Sequence, residues 1–157
     1  MAKVQPDATT IAGLQSHAGY WLRFVSNHVS YAFARKLSAF HVTVAEWVLL
    51  RQMFDRERMA PSNLAETTGL TRGAVSKLVD RLVDKKLVKR EFSHDDRRFQ
   101  SIALSPSGRR LVPTLAAAAD ENDEQFFSAL HLGEREALLR VLKKLVRVHG
   151  LTKIPTE

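Results

Sequence analysis

Apolar residues recur every three or four positions from Leu14 to Phe40, through Ala18, Trp21, Leu22, Val25, Val29, Phe33 and Leu37. That spacing predicts one long amphipathic helix. The pattern breaks at His41 to Thr43. Thr43 can cap a second helix, in which Trp47, Leu50 and Phe54 share a face and the charged run Asp55 to Arg58 marks the end. Pro61 suits the first turn of a short third helix holding Leu64 and Ala65, because a missing N–H costs nothing there. Gly69 supplies a turn, and Thr71 is an N-cap for a fourth helix. In that fourth helix Val75, Leu78, Val79 and Leu82 form an apolar stripe, leaving Arg72, Gly73, Ser76, Lys77, Asp80 and Arg81 outside it. The spacing from Leu64-Ala65 through Leu70 to Val75 and Leu78 is that of a packed helix-turn-helix.

Beyond Leu87 the period drops to two. Val88 and Phe92 flank Lys89 and Glu91 on alternate faces, and Ile102 and Leu104 alternate with Ser101 and Ala103, which predicts a hairpin. Its connection from Ser93 to Arg98 is charged and too long for a two-residue turn, so it should project as a wing. Ser105 and Pro106 open a helix marked by Leu111, Leu115, Ala118, Ala119, Phe126 and Leu130. A last helix carries Leu138, Val141, Leu142, Leu145 and Val148, while residues 1–10 and 151–157 read as loose ends. The expected class is mainly α with a small β-hairpin. One domain accounts for the whole chain, with a winged helix-turn-helix lobe at about 43–104 and long helices at about 11–40 and 106–149.

Composition narrows the chemistry. The 157 residues include no cysteine, which excludes disulfides, thiolate-ligated zinc and thiol redox sensing. No apolar segment approaches the roughly 18–20 residues that cross a bilayer, and no signal sequence opens the chain, so a soluble, cytoplasmic protein is expected. The formal charge is +7, which favours a polyanionic partner. Residues 71–98 hold nine Lys or Arg and five Asp or Glu, a local excess of +4. The positive charge therefore concentrates on the helix-turn-helix and wing.

The order of these elements resembles the MarR family of bacterial regulators across roughly residues 14–149. The resemblance is carried by Leu64-Ala65, Gly69-Leu70-Thr71-Arg72, the run from Val75 to Leu82, Asp95-Asp96-Arg97-Arg98, and Leu104-Ser105-Pro106-Ser107-Gly108. It implies a homodimer whose N- and C-terminal helices interleave as dimerisation helices, holding two lobes over successive major grooves of a palindromic operator in double-stranded DNA. Two positions depart from the family pattern. Lys86 precedes Leu87 where the family has Gly, which argues against a left-handed end to the fourth helix. Gly73 stands where the family often has a side chain able to touch a base, so one contact is missing.

As the helix that enters the major groove, the fourth needs base-directed hydrogen bonders near its start and cations for phosphates. Thr71, Arg72, Gly73, Ser76, Lys77 and Arg81 are the candidates, set against the plainer reading of a solvated charged face. Asp80 would be repelled by phosphate and is expected to orient a neighbouring Arg or to support the fold. In the wing, Arg97 or Arg98 can enter a narrow minor groove, and the resemblance implies that Asp96 fixes Arg98 by charge-assisted hydrogen bonds. His94 with Asp95 and Asp96 is a poor metal site, since three adjacent loop residues rarely close a coordination sphere, so no metal or cofactor is expected. Ser93 beside His94 lacks the converging base and orienter of a hydrolase, and no enzyme activity is expected.

His17, Trp21, Phe24 and His28 are spaced by four, three and four on the first helix and should make one stripe. Packing into a core explains such a stripe. With Trp47 and Arg51 it also suits a pocket for a small aromatic or phenolic anion, an effector class that MarR-like proteins often bind between the dimer helices and the DNA lobe. Two functions fit the sequence: a ligand-responsive repressor acting on an operator, or a dimeric protein-interaction module on a winged-helix fold that no longer reads DNA.

Overall fold

The computed structural model describes residues 11–152, apart from 93–99. A short 3-10 turn at Leu14–Ser16 is followed by six helices: α1 (Ala18–Ser38), α2 (Val44–Phe54), α3 (Pro61–Thr68), α4 (Arg72–Asp84), α5 (Pro106–Phe127) and α6 (Leu132–Val148). Between α4 and α5 lie β1 (Val88–Phe92) and β2 (Gln100–Leu104), paired antiparallel with Val88 opposite Leu104 and Phe92 opposite Gln100.

The first helix is shorter than its periodicity suggests. His17 takes an extended conformation, φ −94° and ψ 123°, and separates the 3-10 turn from α1. It therefore does not share a helical stripe with Trp21. The indole N–H of Trp21 instead reaches back 2.8 Å to the Gln15 carbonyl and ties the turn to the helix. At the other end of the chain, α5 closes at Phe127, so Leu130 falls in the turn before α6. Pro113 lies inside α5 without dividing it.

Local signals fix most helix starts. Thr43 accepts from the Glu46 amide at 3.2 Å while the Glu46 carboxylate accepts from the Thr43 amide at 2.8 Å, a reciprocal capping box at α2. Thr71 accepts from the Ala74 amide and Ser105 from the Gly108 amide, capping α4 and α5. Pro61 and Pro106 occupy first turns, as their missing N–H allows.

One core holds the lobe together. Leu37 at the end of α1 meets Leu49, Leu50 and Met53 of α2, Leu64 of α3, Val75, Val79 and Leu82 of α4, Ile102 of β2, and Val112 and Leu115 of α5, all essentially without exposure. Both faces of β2 are covered, since Ala103 is buried as well as Ile102 and Leu104. Met59, just before α3, adds a bridge to Ile102 through bonds of 2.9 and 2.8 Å, widening the hairpin by one short strand segment. Away from this lobe the helices are bare. No residue of α6 is buried, and α1 buries only Leu37.

Candidate nucleic-acid interface

α3, the turn and α4 are built by the residues that the sequence marks. Leu64, Ala65 and Thr68 bury one face of α3, and Gly69 closes that helix at φ 70°, a left-handed setting that glycine adopts without Cβ strain. Val75, Leu78, Val79 and Leu82 then sink one face of α4 into the core. What remains outside is Arg72, Gly73, Ser76, Lys77, Asp80 and Arg81, all exposed. Among the described residues, no carboxylate lies within ion-pair distance of Arg72, Lys77 or Arg81, so three cations point outward from one helix. Nothing within 4 Å would meet a Cβ at Gly73, which leaves open space beside Arg72 and Lys77.

Asp80 is the exception on this face, and it is paired. Arg90 of β1 donates to its carboxylate, which joins the middle of α4 to the first strand of the hairpin. On the same strand the Lys89 ammonium lies 2.6 Å from Glu91, with Arg58 at 3.8 Å. The hydrogen bond from Lys89 holds the Glu91 carboxyl below its ordinary range. Asp96, Arg97 and Arg98, together with Ser93, His94 and Asp95, lie outside the described residues.

The end of α4 overturns one expectation. Lys86 adopts φ 60°, so the left-handed residue is present although it is not glycine. The Leu87 amide bonds to the Leu82 carbonyl at 2.9 Å and the Lys86 amide to the Val83 carbonyl at 2.8 Å, the two bonds of a Schellman motif. Hydrogen bonding to the corner overrides the side-chain penalty. The hydroxyls of Ser105 and Ser107 each donate 2.7 Å to the Lys86 carbonyl, and the Ser105 amide donates 3.0 Å to that of Leu87.

Sequence reasoning missed two cation contacts. Arg109 of α5 donates to the carbonyl of Phe54 (3.0 Å), the last residue of α2, and to that of Arg56 (3.2 Å) just beyond it, with its guanidinium 5.5 Å from the Phe54 ring centre. Lys85 reaches the carboxylate of Glu46 across 39 positions of sequence. Glu46 is fully buried, so its carboxylate needs a cation, and nothing in the α2 pattern of Trp47, Leu50 and Phe54 signalled it.

The effector candidates form two groups. Phe24 and His28 have ring centres 4.7 Å apart, Trp21 and Phe24 6.3 Å, and Tyr20 joins them. Trp21 and Phe24 remain 48% and 49% exposed. Trp47 instead sets its ring edge-on to Phe33 at 6.3 Å, and Arg51 is held by Asp55 at 2.7 Å. His17 stands apart at the start of α1. Another face of α1 lines a groove of about 420 Å³ against α6, with Leu22, Val25, Val29, Leu138 and Leu142 on its walls. Among the described residues no cluster of three potential metal ligands occurs, and no helix is long and apolar enough to cross a membrane.

The sequence model of the MarR family matches residues 42–98, which take in α2, α3, α4 and β1. Over these residues the chain is similar to the MarR family. A relative described as the HTH-type transcriptional repressor NicR, from Pseudomonas putida, is 25% identical over 128 residues, covering 82% of this chain and 81% of that protein. The Staphylococcus aureus MepR–DNA complex superposes with a TM-score of 0.76 at 25% identity, covering 84% of this chain and 98% of that one. BpsR of Bordetella bronchiseptica, whose DNA binding is regulated by 6-hydroxynicotinic acid, gives a TM-score of 0.79 at 24% identity, covering 87% and 98%. Six helices with a two-stranded hairpin are thus the MarR winged-helix arrangement.

Proposed function

We propose that this chain is a homodimeric regulator of transcription that binds double-stranded DNA sequence-specifically, with α4 in the major groove and the wing against the adjacent minor groove. One observation carries the reading. α4 buries its apolar face completely and presents Arg72, Lys77 and Arg81 outward, where phosphates and base edges need cations. Thr71, Gly73 and Ser76 lie on the same exposed surface, close enough to the backbone of the helix start for DNA to approach. Asp96, Arg97 and Arg98 complete the interface from the wing. The relation to NicR favours repression, and MepR bound to DNA favours contact through the winged helix. The chain acts in the cytoplasm and catalyses no reaction.

Exposed apolar side chains support the dimer. Leu139, Val141, Leu145, Val146 and Val148 of α6 and Leu22 and Val25 of α1 are 40% to 65% exposed, and large apolar patches left in water mark association faces. Residues 11–40 and 106–149 are its interleaved dimerisation helices, and 43–104 the reading lobe. The effector is a small aromatic anion, by analogy with BpsR, held against Trp21, Phe24 and His28 on one side and by Trp47 and Arg51 on the other, with His17 near its mouth. It works only if it favours one spacing of the two lobes over the other.

Selection of binding sites from random duplexes by the purified protein tests this reading. A palindrome with half-sites about one helical turn apart is expected. An unselected pool, or a protein that sediments as a folded monomer at micromolar concentration, would refute it.

A further inference from the structure

Lys85 closes α4 at the end opposite its exposed first turn, and its side chain points inward. The ammonium donates to both carboxylate oxygens of Glu46, each at 2.7 Å, and to the carbonyl of His41 at 2.8 Å. These bonds occupy its donors, so none remains for a phosphate. Glu46 is fully buried, and its remaining bond comes from the Thr43 amide. His41 itself sits at φ 55° in the corner between α1 and α2. One side chain therefore joins the last turn of the recognition helix to that corner.

We propose that Lys85 is a positioning residue for DNA recognition, setting the angle of α4 from the α1–α2 corner through Glu46 and the His41 carbonyl. The proposal rests on α4 being the DNA-reading helix. The pair of Asp80 with Arg90 ties the middle of α4 to the hairpin, and the anchors on the core are Val75, Leu78, Val79 and Leu82, whose apolar contact is not directional, so Lys85 is the directional tie from α4 to the α1–α2 corner. A charge-assisted hydrogen bond is directional, and a buried carboxylate stripped of its cation is costly, so the contact is either made or broken. The corner it grips also continues α1, which carries Trp21, Phe24 and His28. A change in α1 thus has a continuous helical route to the reading helix.

The test compares full-length wild type, Lys85→Met, Lys85→Arg and Glu46→Gln on the selected duplex and on a scrambled one, across a salt series. Circular dichroism confirms folding of each variant. Lys85→Met and Glu46→Gln should each weaken the selected duplex about tenfold, the equivalent of one charge-assisted bond. The scrambled duplex should change less than about threefold and the salt slope should stay the same. Lys85→Arg, which keeps the charge, should recover most of the loss. A slope lowered by about one unit with equal losses on both duplexes would make Lys85 a phosphate contact and overturn the proposal. Unchanged affinity for the selected duplex in folded variants would overturn it too. Should Lys85→Met fail to fold, Glu46→Gln and Lys85→Arg decide by the same criteria. Failure of wild type to select any duplex would strike the DNA-reading assignment instead.

Discussion

A Cβ on Gly108 would stand 2.1 Å from the carbonyl oxygen of Leu87, closer than any side-chain carbon can come. The obstacle is backbone, so it cannot swing aside. The first turn of α5 rests directly on the corner that follows α4, and only glycine permits the approach. Gly108→Ala should therefore cost about 3 kcal/mol, at the upper end of ordinary overpacking. Urea denaturation would show a lowered midpoint; an unchanged midpoint would mean that the two segments separate easily.

That glycine was legible in the sequence as part of Leu104-Ser105-Pro106-Ser107-Gly108, but its reason was not. The helix-turn-helix was legible because Gly69, Thr71 and the Val75 to Leu82 stripe act through local backbone geometry and a 3.6-residue period. Lys85 with Glu46 and Arg109 with the carbonyls of Phe54 and Arg56 were not, since they join elements 39 and more than 50 positions apart. Periodicity carries no record of such contacts. It also overran His17, where apolar spacing continues although the backbone turns extended. For Asp80 the sequence left open whether it orients an arginine or supports the fold; its pair with Arg90 of β1 does the first, and which arginine answers it depends on strand placement.

Lys86 gives a stability prediction of the opposite sign. A left-handed non-glycine residue costs about 1–2 kcal/mol, partly offset in glycine by the entropy it loses on folding. Lys86→Gly should therefore stabilise the protein by about 0.5–1 kcal/mol, seen as a higher denaturation midpoint. A lower midpoint would show that the Lys86 side chain contributes more than its backbone strain costs.

Glu46 predicts an acid limb. Burial pushes its carboxyl upward, but hydrogen bonds from Lys85 and the Thr43 amide outweigh that, and the net displacement is below the ordinary 4.5. A carboxyl depressed in the folded state contributes stability above its unfolded value, which is lost as pH falls through the folded one. Stability should therefore decline below about pH 4.5 in wild type. Glu46→Gln should be less stable at pH 7 by about 2 kcal/mol, a discounted cost for a half-buried pair, and should show a shallower acid decline. Denaturant midpoints from pH 3 to 7 would measure both; parallel acid limbs in the two proteins would exclude Glu46 as their source.

On the reading face, Arg72→Ala and Lys77→Ala should each lose about 1–3 kcal/mol at particular base positions if they contact guanine edges. Asp80→Ala should behave differently. Removing that carboxylate takes away repulsion but frees Arg90, so affinity for scrambled duplex should rise while preference for the selected site falls. Binding measured on matched duplexes with single base changes separates the two patterns. Identical profiles for all three variants would mean that these side chains do not meet DNA.

The most direct measurement is the salt dependence of wild-type binding to its selected duplex. A dimer seating two α4 helices and two wings should neutralise at least six phosphates, which gives a slope of log affinity against log salt of about −5 or steeper. A slope near zero would contradict the placement of α4 on DNA and would fit a protein partner instead.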